Sequence, residues 1–434
     1  MPNPIIGYAG LTHLGLNSAA AAADKGFEVI GFHDDASYVT AINEGKLPVT
    51  EPGLNELVEK NKARLTFSDD AKSLSRCDLV YISVDVPTDD HGNSDLTPIN
   101  KIIAASEAVM RPGALLIILC QVPPGFTRNL SRSPKQLYYQ VETLIFGSSV
   151  ERATLPERFI IGCVNPDQKI DSRLEEFLGS FNCPLLPMRY ESAELAKISI
   201  NMCLVASVSV ANTMAEICEN VGADWSEIVP SLKLDKRIGE FSYLKPGLGI
   251  AGGNLERDLN TVIQLSKKHQ TDGGVVAAWI ENSAYRKEWA WRTMSEVVLS
   301  SNPNARVGVL GLAYKENTHC TKNSPSLALL SKLEKFEVCV HDPVVSSDAV
   351  GIPVSSPSNA EDVAAEADVL AIMTPWPEYA KLDLNKVSSL MSGRIIIDPY
   401  AVLNGQRVKE AGLEYFTLGF SELPNKSESS TFNA

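Results

Sequence analysis

The chain has 434 residues, 44% hydrophobic and 21% charged, which is the composition of a folded globular protein rather than a disordered one. Its 39 Lys and Arg against 53 Asp and Glu leave a formal charge of −14. That charge excludes a general nucleic-acid binder and still allows a small phosphorylated ligand at a helix N-terminus. At roughly 100–200 residues per domain there is room for two to four domains.

Met1-Pro2-Asn3-Pro4 has no basic region before its first apolar run, so no signal peptide is read there. Pro4–Ala9 is predicted as a buried strand, Leu14–Lys25 as an alanine-rich helix stopped by Gly26, and Glu28–Phe32 as a second strand. Strand, glycine turn, helix and strand in about 30 residues make the βαβ unit of a parallel sheet. Further strands are expected at Leu79–Val84, Ala114–Leu119 and Phe159–Cys163, giving one Rossmann-like domain over residues 1–190. A single long helix then runs from Ser192 to Val221, stopped by Gly222. Its most apolar part, Ile198–Val221, is interrupted by Asn201, Asn212, Glu216, Glu219 and Asn220, the mark of a buried helix rather than a membrane span.

Helices at Leu259–His269 and Val276–Leu299 complete an all-helical domain over 191–300, with the long apolar helix as a natural dimer seam. Alternation resumes with strands at Arg306–Gly311, Val338–His341, Val369–Met373 and Ile395–Ile397 and a helix at Pro325–Lys335, a second such domain over 301–420. Residues 421–434 read as a flexible polar tail. The fold class is therefore α/β: two doubly wound Rossmann-like parallel-sheet domains joined by a central all-helical domain. Eight scattered cysteines without a CxxC pair point to a reducing, cytoplasmic setting, and histidines 13, 33, 91, 269, 319 and 341 show no metal-ligand spacing.

Gly10-Leu11-Thr12-His13-Leu14-Gly15 stands where the first strand turns into the first helix, a G-x-T-x-x-G variant of the dinucleotide fingerprint. It serves either a pyrophosphate at the helix N-terminus or a merely structural turn. The ribose-binding acid is expected at the end of the second strand, where His33, Asp34 and Asp35 stand. No arginine follows that could pair with a 2′-phosphate, which favours NAD over NADP; a solvated turn is the plainer alternative for the two acids.

The order of further motifs is specific. Asn43-Glu44-Gly45-Lys46-Leu47-Pro48, Glu51-Pro52-Gly53-Leu54, Val122-Pro123-Pro124-Gly125, Ala193-Glu194-Leu195-Ala196-Lys197 with Asn201, Asp235-Lys236-Arg237-Ile238-Gly239, and Gly311-Leu312-Ala313-Tyr314-Lys315 leading to Ser324-Pro325 follow one another along the chain. In that order they resemble the nucleotide-sugar dehydrogenase family, which includes UDP-glucose and GDP-mannose 6-dehydrogenases. The resemblance implies an NAD-dependent oxidation of a nucleotide sugar, a UDP-sugar first of all, in polysaccharide biosynthesis. In that family a sugar CH₂OH is oxidised twice, and a cysteine thiolate carries the intermediate as a thioester. The family's Gly-Phe-Gly-Gly-Ser-Cys-Phe-Pro-Lys-Asp loop is here Gly249-Ile250-Ala251-Gly252-Gly253-Asn254-Leu255-Glu256-Arg257-Asp258, so Asn254 stands at the nucleophile and cannot form the thioester.

The resemblance assigns Lys197, Asn201, Asp258, Glu142 and Asn254 to the catalytic positions. It places Gly10, Thr12, Leu14, Gly15, His33, Asp34, Val86, Gln121 and Lys322 at the cofactor. Glu142, Lys197, Asn201, Arg237, Tyr243, Gly249, Gly252 and Lys315 fall at the substrate, Arg237 reaching it from a neighbouring subunit. Departures are Gln121 for a threonine, Phe146 for a second glutamate, Lys322 for an arginine, and Asp398-Pro399-Tyr400-Ala401 for an Asp-Gly-Arg-Asn motif.

Plainer roles stand beside these: Lys197 snorkelling to the surface, Asn201 and Asn212 packing helices, Asp258 capping a helix that starts near Leu259, and Trp279, Trp289 and Trp291 filling core or interface. The expected protein is a homodimer without nucleic-acid or membrane partners. It performs one two-electron oxidation, or an epimerisation with no net NADH, or it is an inactive homologue that keeps the ligands.

Overall fold

The structure, a computed structural model, describes residues 3–87 and 94–420. His91 and the polar tail 421–434 lie outside the described residues. Contacts divide the chain into two compact units, Met1–Ile200 and Asn201–Ala434.

The first unit is built on β1 (Ile6–Ala9), β2 (Val29–Phe32), β3 (Leu65–Ser68), β4 (Leu79–Ile82), β5 (Leu115–Ile118), β6 (Leu137–Gln140), β7 (Phe159–Cys163) and β8 (Leu185–Arg189). They form one sheet in the order β3-β2-β1-β4-β5-β6-β7-β8. β1, β2, β4 and β5 are buried at every position, as strands covered by helices on both faces must be. The covering helices are α1 (His13–Asp24), α2 (Ala36–Asn43), α3 (Leu54–Asn61), α4 (Thr97–Glu107), α5 (Ser149–Thr154) and α6 (Ser172–Gly179). Reversal of strand order between β2-β1 and β1-β4 opens the crevice at the C-terminal end of β1, where a doubly wound sheet takes its ligand. Every pairing is parallel except β6 with β7, so the sheet expected to be parallel carries one antiparallel junction.

Helix α7 (Tyr190–Val221) leads into the second unit, whose helices are α8 (Trp225–Leu234), α9 (Asn254–His269), α10 (Gly274–Lys287) and α11 (Trp289–Met294). The single helix predicted over Val276–Leu299 is broken between Lys287 and Trp289 and ends in a π-turn, Ser295–Leu299. Strands β9 (Arg306–Leu310), β10 (Glu337–His341), β11 (Val369–Ile372), β12 (Ile395–Ile397) and β13 (Glu414–Phe416) make a parallel sheet in the order β10-β9-β11-β12-β13, flanked by α12 (Pro325–Lys332), α13 (Leu384–Leu390) and α14 (Gly405–Glu410).

Helix α7 was expected to be buried, but only 39% of its most apolar window is. Its polar residues are engaged on the packed side: the Asn212 side-chain oxygen accepts from Gly247 N–H at 2.8 Å, Glu216 pairs with Arg286 at 2.8 Å, and Glu219 accepts from Gly419 N–H at 2.8 Å. Trp289 fits the packing role, donating its indole N–H to Glu219 at 3.1 Å.

Candidate active site and cofactor turn

β1 ends in Gly10 at φ +105°, a conformation glycine adopts without strain, and a Cβ there would lie 2.4 Å from the Val84 side chain. Gly15 has a different reason: its Cβ would lie 1.9 Å from the Gly10 carbonyl oxygen, so only a glycine lets α1 pack this close to the turn. The Ser83 hydroxyl donates to that carbonyl at 2.8 Å. Thr12 stands at the N-cap without capping, its hydroxyl donating instead to Ser83 O at 3.3 Å. The first-turn N–H groups of α1 therefore have no intrahelical acceptor and no side-chain cap, and they carry the positive end of the helix dipole. Leu14 is buried behind them. A dinucleotide pyrophosphate fits this turn.

At the end of β2, His33 stacks on Tyr38 with ring centres 4.1 Å apart, and Asp35 is the N-cap of α2, accepting from Ser37 and Tyr38 N–H. Asp35 thus has the plain role, and Asp34 remains the candidate for the ribose. Lys101 of α4 lies 2.7 Å from Asp34, and this contact holds the carboxyl below its ordinary range. No arginine follows in the chain, as the sequence argument held, and the cation beside Asp34 comes instead from a distant helix. Val86 is buried beyond β4 and Gln121 half-buried beyond β5. Cys120 beside it is buried, and burial pushes its thiol far above the usual range, so it offers no replacement nucleophile.

Glu142, just beyond β6, pairs with Lys197 of α7 at 3.2 Å, both side chains mostly buried. The lysine therefore does not snorkel. One turn further along α7 stands Asn201, on the same helix face. Within the second unit its amide donates to Asp258 at 2.5 Å, and Asp258 is only 1% exposed. Helix α9 starts at Asn254, five positions before the predicted start, so Asp258 lies in its second turn and is not a cap. Asn254 is the first residue of that helix, after the N-cap Gly253.

The loop before Asn254 is fastened from three sides. Gly249 has φ +74° and no room for a Cβ against Ser283, whose hydroxyl accepts from Ile250 N–H at 2.7 Å. Gly252, at φ +77°, donates its N–H to Lys322 O at 3.1 Å and lies against the Tyr314 ring. Asn323 donates to Ile250 O at 3.3 Å and to Glu256 at 3.0 Å while accepting from Lys287. The Lys322 side chain, expected at the cofactor, runs along Gly253.

Elsewhere in this unit a cavity of about 860 Å³ is lined by Trp225, Phe241, Tyr243, Lys245, Tyr400 and Tyr415 among others. Tyr243 is thus at a ligand-sized space, and Tyr400, where an arginine was expected, shares it. Asp398, the retained acid of that motif, is fully buried, accepting from Leu403 N–H at 2.8 Å and the Tyr415 hydroxyl at 2.9 Å; burial raises its pKa. Arg237 is highly exposed and paired with Asp235 at 2.6 Å. The Lys315 ammonium lies 5.8 Å from the centre of the Tyr314 ring.

Sequence reasoning missed Asn323, which carried no signal, and the pair His13–Glu51, joined at 2.7 Å. Both members of that pair stand inside motifs already noted, Glu51 in Glu51-Pro52-Gly53-Leu54 and His13 in the glycine loop, and only the fold brings them together.

Comparison with known proteins gives three family matches in chain order. The NAD binding domain of the UDP-glucose/GDP-mannose dehydrogenase family matches residues 5–181, its central domain 191–284 and its UDP binding domain 308–405. UDP-glucose 6-dehydrogenase TuaD of Bacillus subtilis (strain 168) is 31% identical over 95% of this chain and 93% of its own length. A UDP-glucose dehydrogenase from the hyperthermophilic archaeon Pyrobaculum islandicum superimposes with a TM-score of 0.85 at 25% identity, covering 96% of this chain and 98% of that one. A UDP-D-ManNAc dehydrogenase from Pyrococcus horikoshii shares the fold, with a TM-score of 0.83 at 23% identity over 96% of this chain and all of that one.

Proposed function

Because the chain belongs to the UDP-glucose/GDP-mannose dehydrogenase family, NAD-dependent dehydrogenases of nucleotide sugars, we propose that it oxidises a UDP-sugar by a single two-electron step. The observation that carries this is Asn254 at the head of α9, where the family places its cysteine, on the helix whose Asp258 accepts from Asn201. The Lys197 ammonium, held by Glu142, draws the developing alkoxide of the sugar hydroxyl. The resemblance gives the proton-accepting role to Asp258, with a water, and within the second unit Asn201 orients that carboxylate. The α1 turn, with Gly10 and Gly15, would hold NAD, which would supply the hydride acceptor. An amide cannot capture the resulting carbonyl covalently, so the product stays an aldehyde, its hydrate or a ketone.

The UDP binding domain supports a nucleotide sugar as ligand, and the cavity beside Tyr243 and Tyr400 is a candidate for part of its site. We also propose a homodimer. Cys203, Ser207, Val210, Met214, Ile217 and Val221 repeat at alternating steps of four and three along α7 and stay partly or fully exposed, the pattern of a helix seam awaiting a second copy. The eight unpaired cysteines fit a reducing, cytoplasmic setting.

Turnover of a panel of nucleotide sugars with NAD, followed by NADH absorbance and product mass, tests the proposal. An accepted UDP-sugar that yields one NADH and no uronic acid upholds it. A changed sugar without NADH points to epimerisation. Binding without any chemistry establishes an inactive homologue, the alternative that Asn254, Gln121 and Phe146 in place of the family's cysteine, threonine and second glutamate favour.

A further inference from the structure

The second sheet also turns on a glycine after its leading strand, but that turn is closed. β9 is followed by Gly311 at φ +96°, where a Cβ would lie 2.4 Å from the Thr374 side chain. At the α1 turn no side chain caps the first amides; after Gly311 the next two amides are taken. Leu312 and Ala313 N–H donate to Asp342 Oδ2 at 2.7 and 3.0 Å, and the Trp376 indole N–H donates to the same oxygen at 3.2 Å. Oδ1 accepts from Val344 and Val345 N–H, both at 2.9 Å. Asp342 directly follows β10, where a dinucleotide-binding sheet puts the acid that meets a ribose; here it binds its own backbone. The carbonyls are pinned as well. The buried hydroxyls of Ser326, Ser324 and Thr374 donate to Gly311, Leu312 and Ala313 O at 2.6, 2.8 and 2.6 Å. Tyr314 comes next: its N–H donates to Cys320 O at 3.0 Å, and a Cβ at Gly252 would lie 3.3 Å from its ring. Within the second unit the pinned turn therefore bears on the glycine loop that leads to Asn254.

We propose that Asp342 is a positioning residue for the nucleotide-sugar ligand. It stands where a phosphate would otherwise receive the turn amides, seals the turn, and holds Tyr314 against the glycine loop. The second domain then meets its nucleotide through groups beyond the turn. This rests on the reading of a UDP-sugar as substrate. An asparagine cannot do the same: whichever way its amide is turned, the NH₂ group faces two or three N–H donors.

The test uses the full-length protein, with UDP alone as the nucleotide and NAD as control. Affinities come from calorimetry, and amide exchange over 249–253 is followed without ligand. Wild type is expected to bind UDP. Asp342→Asn is expected to speed exchange in the loop and to weaken UDP about tenfold, with NAD affinity kept within about twofold. Thr374→Val removes one pin at nearly constant volume and should weaken UDP severalfold, while Thr374→Ser keeps the hydroxyl and should restore it. Should the Asp342 variant fail to fold, the Thr374 pair carries the same comparison. Unchanged UDP affinity in folded Asp342→Asn and Thr374→Val would overturn the proposal, even with faster loop exchange, by reducing Asp342 to a structural pin. An equal loss of NAD and UDP affinity would overturn it too. Failure of the wild type to bind UDP would overturn the UDP-sugar reading and the positioning role with it.

Discussion

Gly15→Ala should damage the cofactor turn far more than its single methyl suggests. The added carbon would lie 1.9 Å from the Gly10 carbonyl oxygen and 2.9 Å from the Ser83 hydroxyl. An unforced carbon–oxygen contact is about 3.3 Å or more, so α1 must withdraw from the turn by more than about 1 Å. The carbonyl cannot yield freely, because Ser83 donates to it at 2.8 Å. Overpacking of this kind costs about 1–3 kcal/mol of stability. Withdrawing the helix also moves its free amides away from a pyrophosphate. Hydrogen bonds to a charged acceptor contribute about 1.5–3 kcal/mol each, so losing one lowers NAD affinity by about 10- to 150-fold. Gly179→Ala, on α6 with nothing near its Cβ, is the control and should be neutral or stabilising by a few tenths of a kcal/mol. Calorimetry with NAD and thermal melts of both variants decide the matter. If Gly15→Ala melts and binds like Gly179→Ala, the turn does not work as described.

Three further outcomes follow from the same geometry. NAD should bind at least about tenfold more tightly than NADP, and Asp34→Ala should narrow that gap by freeing Lys101 for a 2′-phosphate; calorimetry with both cofactors measures it. Burial pushes the Glu51 carboxyl up, but the Gly147 N–H and His13 pull it further down, so its folded pKa lies below its ordinary value. Stability from Glu51 is thus fully present above the ordinary glutamate pKa, about 4.3, and is lost as pH falls through the lower folded value; Glu51→Gln should flatten that acid-side loss in urea titrations. Ile217→Glu places a charge on the exposed α7 stripe and should convert a dimer to monomer by light scattering, whereas an unchanged mass would move the interface elsewhere.

Where local pattern and burial agreed, the chain was readable. β7 and β12 fall at their predicted residues because each is a short apolar run bounded by breakers. β3 and β8 escaped because they lie at the two edges of the sheet with mostly unburied side chains, and β8 contains Pro187. β6 escaped for a different reason: Leu137-Tyr138-Tyr139-Gln140 is fully buried, but too short to stand out beside the 3₁₀ turn Pro134–Gln136. The start of α9 was missed because Asn254, Glu256 and Asp258 read as loop, while Asp258 is buried by Asn201, 57 positions away. The site behaves likewise. The glycines of the turn announce themselves through backbone geometry, but Lys101 on Asp34 and Glu51 on His13 are products of the fold. No spacing rule reaches them.

The central claim is that Asn254 limits this chain to one hydride per sugar. Single-turnover oxidation of whichever UDP-sugar it accepts, with NADH counted against product mass, tests it most directly. One NADH per sugar is predicted, with a product two hydrogens lighter than the substrate as an aldehyde or ketone, or one oxygen heavier as the hydrate. Two NADH per sugar and a uronic acid from the unmodified protein would contradict it.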